Sequence, residues 1–166
     1  MIKRVILILY AVIEFLIFND AIYGQVFEFL DDFESYVPDQ QLVCQNPTDW
    51  TTWSNLPCDP VEDPILSTNY SVTGTKSLRI IHNNDLVKPF GSHSIGYYYI
   101  TFWFYIPSGK AGYFNTLAVF NGVNSNWAME CYFDAGGAGR LFGGSPPVNF
   151  NWMENEWQFI ELVVNL

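Results

Sequence analysis

The sequence predicts an all-β fold, an antiparallel jelly-roll sandwich, and three observations lead there. After the first two dozen residues no segment carries apolar side chains at helical three-and-four spacing, while several alternate at strand spacing. Gly, Pro, Asn and Asp fall between those segments as turn signals, in "PSGKAG", "NGVNSN", "DAGGAG" and "GGSPPV". Aromatic residues make up 18% of the chain and charged residues only 14%, a balance suited to a packed β domain and unlike that of a disordered chain.

The elements follow in order. The opening "MIKRVILILYAVIEFLIFNDAIYGQ" has a basic start, an apolar run from Val5 to Phe18 and small residues at Ala21 and Gly24, which is the pattern of a signal peptide over 1–24. Glu14 interrupts the run and argues against a permanent span, which needs about 20 apolar residues. The expectation is therefore a secreted or cell-surface protein with no stable membrane insertion after processing, and one domain over 25–166.

Strands are expected at Val26–Glu34, Ile65–Ser67, Ser77–His82, Ser94–Pro107, Gly112–Asn121, Trp127–Asp134, Gly139–Phe142 and Trp157–Val164. The segment Val37–Pro64 holds more than half of the chain's nine prolines and reads as a long ordered loop, because proline breaks a central ladder. Cys44 and Cys58 lie in that loop, and a disulfide between them would help order it together with Trp50 and Trp53. Cys131 sits in an apolar strand and reads as a buried thiol. The chain stops at "WQFIELVVNL", within an apolar strand, so the expectation is a sandwich incomplete at its C-terminus.

Seven Lys and Arg against 17 Asp and Glu give a net charge of −10. Such a surface repels phosphate backbones and argues against nucleic acid as a partner; it suits neutral polymers and divalent cations.

The stretch "GYYYITFWFYIPSGKAGYF" locates the candidate site. Alternation puts Tyr98, Ile100, Phe102, Phe104 and Ile106 on one face and Tyr97, Tyr99, Thr101, Trp103 and Tyr105 on the other. The first set belongs in a core. The second carries a polar atom on every member, as Tyr and Trp do where one side of a ring stays wet. Tyr97, Tyr99, Trp103 and Tyr105 are therefore candidates to stack on sugar rings, with Asn115, Glu130 and Tyr132 from neighbouring strands supplying hydrogen bonds in the same groove. The competing reading of such a stripe is packing beneath a loop.

Other chemistries fit poorly. A nucleophile turn of the Gly-x-Ser-x-Gly kind is missing, and "DAGGAGRLFGG" lacks the Lys-Ser/Thr pair of a phosphate loop. His82 and His93 are too few and too far apart for zinc. Asn69-Tyr70-Ser71 matches the N-glycosylation pattern, which has meaning only on a eukaryotic secretory route.

The stretches "DDFESY", "QNPTDWTTWSNLPCDPVEDPILSTNYSVTGTKSLRI", "NNDLVKPFG", "FWFYIPSGKAGYFNTLAVFNG" and "WAMECYFDAGGAGRL" resemble the concanavalin A-like lectin/glucanase sandwich, in the laminin G-like form of secreted Bacteroidetes proteins, from about Phe33 to the end. The resemblance implies a jelly roll of two curved sheets whose concave face binds carbohydrate or another extracellular polymer. It also implies a structural calcium, for which Glu34 is the best donor, and no other cofactor. The glucanase branch works through a Glu-x-Asp-x-x-Glu or Glu-x-Asp-x-Glu strand. This chain lacks that motif, and Glu130 and Asp134 stand about 13 Å apart along one strand, too far to flank one glycosidic bond. The expected function is thus non-catalytic binding or adhesion, with a ligand-free spacer and a polysaccharide hydrolase or lyase as the alternatives.

Overall fold

The structure is a computed structural model that describes residues 29–166; the signal-peptide segment lies outside the described residues. Residues 32–166 form one unit, built from ten strands and a single helical turn, α1 (Leu42–Gln45). The strands are β1 (Thr51–Thr52), β2 (Ile65–Ser67), β3 (Ser77–Arg79), β4 (Leu86–Val87), β5 (Tyr97–Tyr105), β6 (Gly112–Val119), β7 (Asn126–Asp134), β8 (Ala138–Phe142), β9 (Val148–Asn151) and β10 (Trp157–Asn165). Every pairing between these strands is antiparallel. Among the described residues no helix is long and apolar enough to cross a membrane.

Two pieces make the main body. β5 and β10 pair over nine residues each, from Tyr97 opposite Asn165 to Tyr105 opposite Trp157, and mutual hydrogen bonds between Gly96 and Leu166 extend the ribbon. β6, β7, β8 and β9 form a four-stranded meander. Strand alternation gives each piece an apolar inner face: Phe102, Phe104 and Ile160 on the ribbon, and Phe114, Cys131, Phe133, Leu141 and Phe150 on the meander. These faces meet. Phe104 lies 5.2 Å from Phe133 and Phe102 lies 5.0 Å from Phe114 between ring centroids, and the buried centre comprises Ile106, Cys131, Phe133 and Trp152. The result is a sandwich-like core of two layers.

The loop Val37–Pro64 has more internal structure than its prolines suggest, since it contains α1 and β1. The disulfide forms between Cys44 and Cys58. Beside it, the buried Asp63 carboxylate accepts hydrogen bonds from the amides of Val43, Cys44 and Cys58 at 2.9–3.3 Å, so one acid gathers both ends of the cross-linked ring. Burial pushes the Asp63 carboxyl above its ordinary value, and the amide donors oppose that shift. Leu42, Val43, Thr52, Pro64 and Leu66 are fully buried. Trp50 leans on Phe33 and Trp53 on Trp127.

The expected first strand, Val26–Glu34, needs correction: its residues 26–28 lie outside the described residues, and 29–34 are not a strand. Asp32 Oδ1 accepts the Glu34 amide, and Phe33 takes a left-handed φ of 64°, so the chain turns where alternation alone would extend it. Ser77–His82 stops at Arg79 because Asn84 Oδ1 takes the Ile81 amide that a ladder would have used. β9 lies directly after Pro146 and Pro147, the turn signal that hid it.

Candidate functional site

The long central strand turns its faces as its alternation predicts. Tyr97, Tyr99 and Trp103 stand on the outer face of the ribbon with 68%, 55% and 47% of their surface exposed. The β10 register sets Asn165, Val163, Glu161, Phe159 and Trp157 opposite Tyr97, Tyr99, Thr101, Trp103 and Tyr105. Trp103 and Phe159 meet at 5.1 Å between centroids. Alternate residues are about 6.8 Å apart along a strand, so the rings form a ladder with upright, solvent-facing rungs. Among the described residues no loop covers Tyr97, Tyr99 or Trp103.

Tyr105 is the exception on this face. Tyr70 stacks on it at 4.5 Å and Trp157 packs at 5.3 Å, which leaves it half-buried. Burial, and then the adjacent Tyr70, push its phenol pKa up. It closes one end of the ladder as a wall.

Asn115, Glu130 and Tyr132 do not join this ladder, which corrects the single-groove expectation. Asn115 pairs with Glu130, and Tyr113 with Tyr132, across β6 and β7, so all four project from one face of the meander. The opposite face of the same strands carries Phe114, Cys131 and Phe133 into the core. The two layers put the Tyr/Trp ladder and the Glu130 group on opposite outer surfaces. The sequence pattern assigned each residue to the polar side of its own strand; which sides face each other is a matter of sheet pairing that alternation does not encode.

The second surface has its own geometry. Glu130 Oε1 accepts hydrogen bonds from the Tyr132 hydroxyl at 2.8 Å and the Tyr113 hydroxyl at 3.1 Å. Arg140, opposite Tyr132 on β8, forms a bidentate ion pair with Asp134 at 2.9 Å and lays its guanidinium 5.0 Å from the Tyr132 ring centre. Phe142, opposite Glu130, meets Tyr132 edge to face at 5.8 Å. Glu130, Tyr132, Arg140 and Phe142 line an open hollow of about 330 Å³. The hydrogen bond to Glu130, followed by burial, raises the Tyr132 phenol pKa; burial raises that of Tyr113, with Glu130 adding to it. Arg140 holds the Asp134 carboxyl below its ordinary value. Arg140 and Phe142 stand on the strand expected over Gly139–Phe142, but their meeting with Tyr132 and Glu130 depends on the β7–β8 register, which alternation along one strand does not encode.

Glu34, expected as a calcium donor, has another task. Its two carboxylate oxygens accept the Thr75 amide, the Thr75 hydroxyl and the Lys76 amide at 2.8–2.9 Å, which latches the segment before the long loop to the turn ahead of β3. The Thr75 amide is the largest cause that holds its pKa down. Among the described residues no group of three or more His, Cys, Asp or Glu side chains is placed to hold a metal ion. Cys131 is buried in the core and its thiol is pushed up to about 11 by burial. His93 lies in the loop before β5 against Tyr98.

Comparison with family models, with curated proteins and with solved structures finds no significant match to this chain.

Proposed function

We propose that this chain is a non-catalytic binding module that holds an extended carbohydrate, or a similar extracellular polymer, on the outer face of the β5–β10 ribbon. The observation that carries the reading is the exposure of Tyr97, Tyr99 and Trp103, with Phe159, as an uncovered row of rings. Aromatic faces stack on the apolar faces of sugar rings, and Thr101, Glu161 and Asn165 add polar groups between the rungs. A concanavalin A-like jelly roll, exported to the cell surface or beyond, is the finer identity we assign. The residue stretches quoted above support it, together with antiparallel strands in two layers and a disulfide suited to an oxidising compartment.

Glycoside hydrolysis is the weaker reading on this geometry, because Asp134, which shares a face with Glu130, is engaged by both Nε and Nη2 of Arg140. The test is affinity electrophoresis of the folded domain through gels containing a panel of neutral polysaccharides. Retardation by at least one polymer, abolished in Trp103→Ala, is the expected result; free migration through all of them would contradict the proposal and favour a ligand-free spacer.

A further inference from the structure

The hollow on the opposite surface, between Glu130, Tyr132, Arg140 and Phe142, belongs to no part of the function proposed above. Its centre is a carboxylate of fixed orientation: two phenols donate to Glu130 Oε1, and Oε2 has no hydrogen-bond partner among the described residues. Beside it the Arg140 guanidinium spends Nε and one Nη2 proton on Asp134, which leaves N–H donors on a group whose charge is already balanced. Two rings at right angles, Tyr132 and Phe142, supply apolar surface. The space of about 330 Å³ is at the lower end of ordinary ligand sites.

We propose that this hollow is a second binding site, selective for an amino sugar with a free, protonated amine. An ammonium group is a donor without acceptor capacity and pairs with the open Oε2 of Glu130 in a charge-assisted hydrogen bond. A neutral sugar hydroxyl would gain only an ordinary one. The sugar's hydroxyls in turn accept from Arg140, and its apolar face rests on Phe142. A lysine side chain would bring the ammonium but no hydroxyl for Arg140 to donate to. The chain's net charge of −10 draws a cationic polymer toward either surface, so selectivity has to come from the hollow itself. The site shares a ligand class with the β5–β10 ladder and none of its residues, so each proposal stands or falls alone.

The experiment is isothermal titration at about pH 5 with a β-1,4-linked glucosamine hexamer and its fully N-acetylated counterpart, acid enough to keep protonated an amine whose basicity the neighbouring ring oxygens lower. The free-amine hexamer is expected to bind at least tenfold more tightly than the acetylated one. Glu130→Gln should lose at least tenfold in affinity for it, while Glu156→Gln, which removes the same charge from the exposed turn before β10 and from neither site, should lose less than twofold. Equal affinity for the two hexamers, no binding of either, or equal losses in Glu130→Gln and Glu156→Gln would overturn the proposal. Because the acetylation comparison uses the unmodified protein, equal affinities overturn the proposal even if a variant folds poorly, and the two Glu→Gln variants separate the hollow from general attraction to an acidic surface.

Discussion

The ring of Phe150 lies where a side chain on Gly139 would begin: the two residues face each other across β8 and β9, and a Cβ on the glycine would overlap the phenyl edge. Phe150 in turn packs on Phe133, at the centre of the core. A residue without a side chain is therefore part of the packing between layers, since it lets an aromatic ring on the next strand fold over it.

Gly139→Ala should destabilise the protein by about 1–3 kcal/mol, the usual cost of forcing extra volume into a filled core. Thermal and urea unfolding of the variant measure this directly. An unchanged midpoint would show that the Phe150 ring has room to move aside.

The disulfide makes a separate prediction. Cys44 and Cys58 are 14 positions apart, and closing a ring of about that length removes roughly 3 kcal/mol of unfolded-state freedom. Reduction, or replacement of both cysteines by serine, should lower stability by about that amount while the β5–β10 ribbon persists, because its core contacts lie elsewhere. Near-ultraviolet circular dichroism with urea titration separates the two effects.

Acid should weaken the fold through specific carboxylates. Glu34, held down first by the Thr75 amide, and Glu154, held down first by the Ser108 hydroxyl, both lie below their ordinary value of 4.5; Asp134, paired with Arg140, lies below its ordinary 3.8. A carboxylate with a depressed folded-state pKa contributes stability that is present above the ordinary value and lost as pH falls through the folded one. The urea midpoint should thus hold near neutrality and fall below about pH 4.5. Asp63 runs the other way, because burial raises its pKa and its protonation offsets part of the loss. A Glu34→Gln, Glu154→Gln double variant should start less stable and lose less on acidification; an equally steep decline would show that these latches do not govern acid sensitivity.

How much of this was legible in the residues differs between local and distant features. The faces of β5 could be read because side chains alternate with a period of two whatever the strand's neighbours are, and Tyr97 through Ile106 follow that rule. The Cys44 to Cys58 link was legible from composition and spacing in a polar, proline-rich loop. The turn at Phe33 was not, because it depends on one Asp32 side chain capturing an amide within an otherwise alternating run. Nor was the separation of Glu130 from Trp103, which depends on β5 pairing with β10 and β7 pairing with β6 and β8, relationships formed across the chain rather than along it.

The ladder itself should be nearly free of structural duty. Trp103 is 47% exposed and its described ring partner is Phe159. A cross-strand pair of this kind contributes roughly 0.2–1 kcal/mol, so Trp103→Ala should unfold within about that margin of the parent. A larger loss would make the ring a packing element.

The most direct measurement is a calorimetric titration of the parent, Trp103→Ala and Trp127→Ala with a polysaccharide that retards the parent in gels. Trp127 is as exposed as Trp103, but lies beside Trp53 at the start of β7, so it serves as the matched control. A stacking ring at the centre of the site should contribute about 1–3 kcal/mol to binding, so Trp103→Ala should weaken affinity by roughly five- to 150-fold while Trp127→Ala stays within twofold. Equal affinities for the parent and Trp103→Ala would contradict the assignment of the β5–β10 face as the binding surface.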